Sequence, residues 1–521
     1  MTAKAVTRTR LLHVAVVAFY AVQTSHAKYR PNWKSLDTHR APEWYHDAKI
    51  GIFINWGLFS VLGFEDESLW YKWKHGLDPQ VADYIKKNYK PSFTYQDLAP
   101  MFTADFFNAT KWVELFVASG ARYVVLTSKH SDGYALWPSK VSPKWNSMDV
   151  GPRRDFIGEL ARAIKKIAPD THFGLYYSLM EWFHPLYLQD RAHYTRKFPR
   201  EKTIPELRQL VLGYQPEMIW SDGDRQDPES YWNSTGFLAW LYNDSPVRDT
   251  IVSNDRWGTA TRNKHGDVWS EMDKKSTMPH VEHKWEHRVS LNRAPWGHRR
   301  NSQLADYLSI QELLAEIAKT ISCNGNVLIS VCPTKDGVIS PIYELLLRQL
   351  GAWLRINGEA VYGTRSWLIH HDTASNDVWY TASKDGRVVY AFVLTWPKDG
   401  KLILRSIDAG SWVRLSMLGY KEELRYELLE PGLVIFFPNA DLNLLPSTWA
   451  WVVKIEEAET IESIAQEAGV MNWATMVLTP VHSGQLRTHS LLLYSSVAVT
   501  LFTFAMFLPR FGKYFARKCT K

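Results

Sequence analysis

The sequence predicts an α/β protein: a (β/α)8-like barrel, then an antiparallel β-sandwich, then a C-terminal transmembrane helix. Three observations carry this. From about residue 45 to 360, short apolar runs alternate with amphipathic helical stretches. After Asn357-Gly358 the pattern changes to short strands bounded by hairpin signals. Near the C-terminus an uncharged apolar run is followed by basic residues.

The strand candidates of the first region are Ile50 to Asn55, Tyr123 to Ser128, Phe173 to Ser178, Met218 to Ser221, Thr250 to Asn254 and Val327 to Val331. Helical patterns separate them, among them Phe156 to Ala168, Pro205 to Leu212 and Ile310 to Ile321. Nearly continuous apolar strands followed by helices indicate a parallel sheet covered on both faces. Six or more such units fit a closed barrel better than an open sheet. No G-x-G-x-x-G and no P-loop follows a strand, which weakens nucleotide-binding alternatives.

In the second region Val378-Trp379-Tyr380, Val388 to Leu394, Leu402 to Leu404, Trp412 to Leu415 and Leu433 to Phe437 read as strands. Asp385-Gly386 and Asp399-Gly400 mark turns between them. The expected organisation is a signal peptide at 1–27, the barrel at 28–360 and the sandwich at 361–456. A stalk at 457–488, the membrane helix at 489–508 and a basic cytoplasmic tail at 509–521 complete it.

The two ends set the expected compartment. Lys4, Arg8 and Arg10 precede the apolar stretch Leu11 to Val22, and Ser25-His26-Ala27 is a small-x-small cleavage pattern. The run LLLYSSVAVTLFTFAMFL at 491–508 is about the minimum length for a span. The basic residues behind it mark a cytoplasmic flank and argue against a removable lipid-anchor signal. The expectation is a single-pass type I membrane protein with its bulk lumenal or extracellular, lysosomal or secreted if the anchor is processed. Tyr514-Phe515-Ala516-Arg517 lacks the bulky fourth residue of a common tyrosine sorting signal, so the tail supports no lysosomal address. Asn108-Ala109-Thr110 and Asn233-Ser234-Thr235 are glycosylation sequons, consistent with that route.

Composition narrows the partners. The 521 residues carry a formal charge of +7. Segments 1–27 and 509–521 hold three and five basic residues and no acidic ones, so the rest carries −1. The basicity belongs to the ends, and no nucleic-acid partner is expected. What remains is an aromatic surplus, 24 Trp, 25 Tyr and 22 Phe, suited to stacking on sugars. The three cysteines, Cys323, Cys332 and Cys519, are too few for a disulfide scaffold, and whether Cys323 and Cys332 pair is left open by sequence.

In a parallel barrel the active site forms at the carboxyl ends of the strands. Those ends hold Asn55 and Trp56, His130 and Asp132, Tyr176, Asp222 and Asp224, and Asn254, Asp255 and Arg256. An Asp at a strand end reads equally as a helix N-cap or as a catalytic carboxylate. G-x-S-x-G, H-E-x-x-H and clustered metal ligands are all missing from the sequence. Carboxylates among Trp and Tyr are the equipment of a glycosidase.

The motifs resemble the α-L-fucosidases of glycoside hydrolase family 29, from about Tyr29 to Glu456. The resemblance rests on Ala48-Lys49-Ile50-Gly51-Ile52-Phe53, Glu181-Trp182-Phe183-His184-Pro185-Leu186-Tyr187, Trp220-Ser221-Asp222-Gly223 and Tyr231-Trp232-Asn233-Ser234-Thr235. It continues through Asn254-Asp255-Arg256-Trp257-Gly258, His283-Lys284-Trp285-Glu286, Pro333-Thr334-Lys335-Asp336-Gly337 and Ile356-Asn357-Gly358-Glu359-Ala360. It implies a retaining exo-glycosidase that removes terminal α-L-fucose from glycoproteins and glycolipids without a metal or other cofactor, with a homo-oligomer as a family-level expectation. Asp222 matches the family nucleophile. Asp273 is the first choice for acid/base, Glu286 the second and Glu271 the third. Asn55, Trp56, Glu67, His130, Tyr176 and Arg256 match positions around the fucose.

This chain also departs from the resemblance. Asn55 stands where the pattern has a sugar-binding His, Ser131 where it has a second His, and Ser68 where it has a pocket Trp. Each lost donor costs roughly 1–3 kcal/mol. The competing expectation is therefore a weak or inactive membrane-bound fucose-binding relative, lectin-like in role.

Overall fold

A computed structural model describes residues 28–270, 282–293, 296–407, 413–429, 432–439, 445 and 447–456. The signal-peptide, stalk, transmembrane and tail segments, with Glu271 and Asp273, lie outside these. Among the described residues no helix is long and apolar enough to cross a membrane.

The catalytic-type region is an eight-stranded parallel sheet in the order β5-β4-β3-β2-β1-β8-β7-β6. Its strands are β1 (Ile50–Ile54), β2 (Tyr123–Lys129), β3 (His172–Ser178), β4 (Met218–Asp222), β5 (Val252–Ser253), β6 (Trp269–Ser270), β7 (Trp285–Ser290) and β8 (Gly325–Val331). Beyond the ends of the two edge strands, a parallel bridge between Asn254 and Val268 curls the sheet into a barrel. Strands β6 and β7 escape sequence reading. The first is only two residues long, and the second is too polar to look like a core strand.

The strands form because their residues are buried on both sides; all seven positions of β2 and of β8 are buried. Period-2 alternation then sorts the side chains. Phe53, Tyr123, Val125, Tyr176, Met218, Trp220 and Leu328 fill the barrel interior. Ile50, Ile52 and Ile54 face the helical layer. Helix α1 (Glu43–Ala48) instead joins the interior cluster through Tyr45 and Ala48, and the layer includes α2 (Ala109–Ala118), α3 (Phe156–Ile167), α4 (Ile204–Tyr214), α5 (Ser234–Asn243), α6 (Ile310–Ser322) and α7 (Pro341–Asn357). Helix α6 shows why these segments start where they do. Ser309 Oγ accepts from the Glu312 N–H at 3.2 Å while the Glu312 carboxylate accepts from the Ser309 N–H at 2.8 Å, a reciprocal cap.

Residues 365–456 add a five-stranded antiparallel sheet, β13-β16-β11-β10-β9, and a three-stranded one, β12-β15-β14. These strands are β9 (Arg365–His371), β10 (Val378–Ala382), β11 (Val388–Val393), β12 (Lys401–Leu404), β13 (Arg414–Met417), β14 (Arg425–Leu428), β15 (Leu433–Phe436) and β16 (Trp451–Glu456). The sheets share one core, with Tyr380, Val389, Leu404, Leu415, Leu433, Ile435 and Val453 inside. Helix α6 packs against β9 and β10. Arg365 reaches Glu43 and Asp47 of α1, and Lys384 bonds both carboxylates at 2.7 Å. Cys323 and Cys332 are buried without a disulfide between them.

Candidate active site

Strand β4 ends on Asp222, and its period-2 alternation aims Met218, Trp220 and Asp222 into the barrel. The carboxylate sits at the carboxyl end, 23% exposed, with both oxygens engaged. Arg256 Nη1 donates to Oδ1 and the Tyr176 hydroxyl donates to Oδ2, each at 3.1 Å. Arg262 Nη2 stands 3.6 Å from Oδ1 and is itself anchored on Asp224 at 2.8 and 2.6 Å. Burial alone would raise the Asp222 pKa, but Arg256, Arg288 and the Gly223 N–H outweigh it and hold the carboxyl well below the usual range. The group is ionised at any working pH.

The frame around Asp222 is rigid. Arg256 also donates from Nε to Ser270 Oγ at 2.7 Å, and its guanidinium lies 4.7 Å from the Trp220 ring centroid. Asn254 clamps β4 from the side, accepting from Ser221 N and Oγ and donating to its carbonyl. Asp255 turns away, accepting from Ser270 N and Oγ and from Asn263 N. Asn254 and Asp255 are thus braces.

Glu67 and His130 are the two orphans of the pocket. Glu67 Oε2 and His130 Nδ1 are buried and have no hydrogen-bond partner among the described residues. Burial first, then the neighbouring Asp66, pushes Glu67 up to about 8. Burial pushes His130 down to about 4. Both are therefore neutral near pH 6, a protonated acid and a free imidazole. The His130 ring lies 5.5 Å from Tyr176 in parallel and 6.0 Å from Trp182 edge to face. Buried polar atoms without partners are the ordinary mark of a site that waits for a ligand's hydroxyls.

Asn55 follows Gly51 and Phe53 on the inward face of β1, and it is 3% exposed. Trp56, one residue on, falls on the opposite face, and here the sequence expectation is corrected. Its indole packs against Phe102, Phe107, Trp112 and Phe156, and its N–H is spent on the Thr334 carbonyl at 2.7 Å. It is core of the helical layer. Ser131 Oγ pairs with Ser178 Oγ at 2.8 Å, and Ser68 folds back onto Asp66.

Glu286 is corrected as well. It stands at the start of β7, the amino end of the barrel, under Trp220. Its carboxylate accepts from Tyr45 and Tyr123 at 2.7 Å and from Trp220 Nε1 at 2.9 Å. A Cβ on Gly51 would meet the Tyr123 ring at 2.4 Å, so glycine there lets that ring lie across to Glu286. Sealed behind Trp220, Glu286 cannot protonate a leaving group beside Asp222. The same strand supplies a residue that sequence reading missed. Arg288, two positions on, packs 3.9 Å from the Trp296 centroid and 5.3 Å from Trp220. The alternation Glu286, Arg288, Ser290 was the signal available for it.

The asparagines of both sequons are exposed. Asn108 caps α2, accepting from Lys111 N at 3.0 Å, and Asn233 has a φ of 55° between two short helices. Among the described residues no group of three His, Cys, Asp or Glu could hold a metal ion.

The sequence comparisons agree with this geometry. The alpha-L-fucosidase family model matches residues 16–359, and the alpha-L-fucosidase C-terminal domain model matches residues 370–456. The chain is 46% identical to the plasma alpha-L-fucosidase of Homo sapiens over 437 residues, covering 83% of this chain and 93% of that one. It is 47% identical to an alpha-L-fucosidase of Branchiostoma floridae over 433 residues, 82% and 96% of the respective chains. Among solved structures it resembles the Thermotoga maritima alpha-fucosidase in complex with fucose, with a TM-score of 0.70 and 27% identity over 82% of this chain and all of that one. The closed parallel barrel, its carboxylate-bearing carboxyl end and both family models agree: the chain belongs to the alpha-L-fucosidase family, glycoside hydrolase family 29.

Proposed function

We propose that the protein is a retaining α-L-fucosidase that removes terminal α-L-fucose from glycoproteins and glycolipids, with Asp222 as nucleophile. The observation that carries the assignment is the position of Asp222, ionised by Arg256 and held by Tyr176 at the carboxyl end of β4. In this reading a second carboxylic acid protonates the glycosidic oxygen while Asp222 attacks the anomeric carbon. The aglycone leaves as an alcohol and a fucosyl ester remains. The same carboxylate then takes a proton from water, which cleaves the ester and restores Asp222. Asp273 is the first choice for that acid/base and Glu271 now ranks next, because Glu286 lies sealed under Trp220. Glu67, His130 and Asn55 are the hydroxyl-binding groups, and Trp182 and Trp296 offer apolar faces.

The test is turnover of an aryl α-L-fucoside by the purified ectodomain, residues 28–488, beside Asp222→Ala. Wild-type turnover, with release of the phenol and formation of β-L-fucosyl azide by the mutant in azide, supports the assignment. Equal inactivity of both, with fucose still shifting the melting temperature, would leave a fucose-binding protein instead. That lectin-like reading is disfavoured because the electrostatic frame of the nucleophile is complete. For the acid/base, azide should rescue Asp273→Ala; failure there with rescue of Glu271→Ala would reassign the role.

The membrane anchor, the signal peptide and glycosylation at Asn108 and Asn233 belong to the same proposal. They are supported by the uncharged run at 491–508, the basic residues after it and the exposure of both sequon asparagines. Retention of the full-length chain in alkali-washed membranes, with an enzymatically removable glycan on each Asn, is the expected result. Release of the chain by alkaline carbonate would remove the anchor from the proposal.

A further inference from the structure

Strand β2 ends on an irregularity that decides where His130 points. Strict alternation from Val125, which faces the barrel interior, would aim Lys129 inward and His130 outward. The register differs: Thr127 pairs with Tyr176 and Lys129 with Tyr177, so two steps along β2 match one along β3. Ser128 is the extra residue of this β-bulge, and its hydroxyl donates to the Tyr176 carbonyl at 2.6 Å. The bulge exchanges the two side chains. Lys129 turns out to the helical layer, 4.3 Å from the Tyr177 ring centroid, and the His130 ring lies parallel to Tyr176 in the pocket.

The outward lysine is buried and its charge is matched. Lys129 Nζ donates to Glu181 Oε1 at 2.8 Å and stands 3.5 Å from Glu206 Oε2. Lys202, just before α4, lies 3.2 Å from each of the same two carboxylates. None of these four side chains is more than 5% exposed. Tyr177, Ser139 and Ser142 donate to Glu206. Burying charges so deeply adds little stability over apolar packing, because desolvation offsets the attraction.

What the pair holds is set by its neighbours in the chain. Lys129 immediately precedes His130, and Glu181 immediately precedes Trp182. The Trp182 N–H donates to the Ser131 carbonyl at 2.9 Å, and the His130 and Trp182 rings meet edge to face. Gly133 has a φ of 79°, and a Cβ there would strike Glu181 Oε2 at 2.5 Å, so the turn after His130 closes directly onto that carboxylate.

We propose that Lys129 and Glu181 are positioning residues for the sugar pocket. Their buried ion pair locks the Ser128 bulge to the segment after β3, and so holds His130 between Tyr176 and Trp182, in place for a fucose hydroxyl. This role rests on the proposed reading of His130 as a hydroxyl-binding group. Both residues act through His130 and not by contact with substrate.

The test measures fucose affinity of the full-length chain by calorimetry, beside kcat and KM on an aryl fucoside. Lys129→Met combined with Glu181→Gln removes one charge of each sign and leaves Lys202 with Glu206. It should weaken fucose binding about tenfold, raise KM in parallel and leave kcat within about threefold. Tyr177→Phe takes a hydrogen bond from the same buried cluster without touching the pair; it should lower the melting temperature and leave fucose affinity unchanged. In a His130→Ala background the double variant should add no more than about twofold, because both act through one contact. Crystals of the double variant should show the His130 ring displaced from its parallel place beside Tyr176, an observation that needs neither turnover nor fucose. Should that variant not fold, Glu181→Gln alone carries the comparison, with about a threefold loss expected. Unchanged affinity, full additivity with His130→Ala or an unmoved His130 ring would each overturn the positioning role while the fucosidase assignment stands. A wild-type chain that binds fucose without turnover would instead overturn the fucosidase assignment, and the affinity and crystal comparisons would still decide the role of the pair.

Discussion

Arg256 Nη1 lies 3.1 Å from Asp222 Oδ1 while the same guanidinium covers the Trp220 ring at 4.7 Å. The indole beneath and Ser270 beside it leave the guanidinium no freedom to follow a moving charge. Its field is therefore preorganised at Asp222, the proposed nucleophile, and it costs no reorganisation as the charge there changes.

Removing that contact has a signed consequence. The Asp222 carboxyl is depressed in the folded protein, and Arg256 is the largest lowering influence. Arg256→Met should move the acid limb of kcat/KM upward by about 1–3 pH units and lower the plateau roughly 100- to 1000-fold. A pH–rate profile on an aryl fucoside measures both. An unmoved acid limb would assign it to another group.

Glu67 titrates on the other side of neutrality. Its pKa near 8, raised by burial and by Asp66, means that it is a neutral acid at pH 6 and joins Asp222 as a second negative charge above pH 8. Activity should therefore fall with a basic limb near pH 8. Glu67→Gln should flatten that limb while keeping activity at pH 6 within about tenfold, since the amide replaces a neutral carboxyl. For stability the sign is the same: a carboxyl raised in the folded state favours folding below its unfolded pKa and loses that advantage as pH rises through 8. Thermal melts of Glu67→Gln should thus gain on wild type between pH 5 and 8.

Glu286→Ala separates structure from chemistry. It strands two buried tyrosine hydroxyls and the Trp220 N–H. A loss of about 3–5 kcal/mol in stability is expected, read from urea unfolding. Azide should restore no activity to it.

Asn55→His asks whether the departures matter. Asn55 faces the pocket from β1 and is nearly buried, and the imidazole would restore a longer donor to the sugar. The expected outcome is roughly tenfold tighter inhibition by free fucose, equivalent to one recovered hydrogen bond. Ser131→His should help less, because Ser131 is tied to Ser178 and the imidazole must first displace that contact.

Much of this was legible from the chain. Apolar continuity marked six of the eight strands, because strands covered on both faces leave no polar alternation to confuse them. Strand-end logic located Asp222, His130, Tyr176 and Arg256, and the motif Glu67 joined them once folded. Where reading failed, the reason was direction. Trp56 and Asn55 are adjacent in sequence and point to opposite faces of β1. Glu286 and Arg288 share a face of β7 but sit at different depths of the barrel.

By itself, then, the sequence determined the barrel, the antiparallel sheets, the family and the strand-end place of Asp222, because burial periodicity and strand-end position are local properties. Tertiary structure alone decided which carboxylates could meet. Glu286 lost its candidacy to the depth of β7 and to the indole of Trp220 above it. Glu67 and His130 became neutral through burial that no local pattern encodes. Tyr45 and Glu286, 241 residues apart, lie 2.7 Å from each other only because the barrel brings their segments together. Proximity across a closed barrel is set by register and shear, and a linear chain does not carry those one residue at a time.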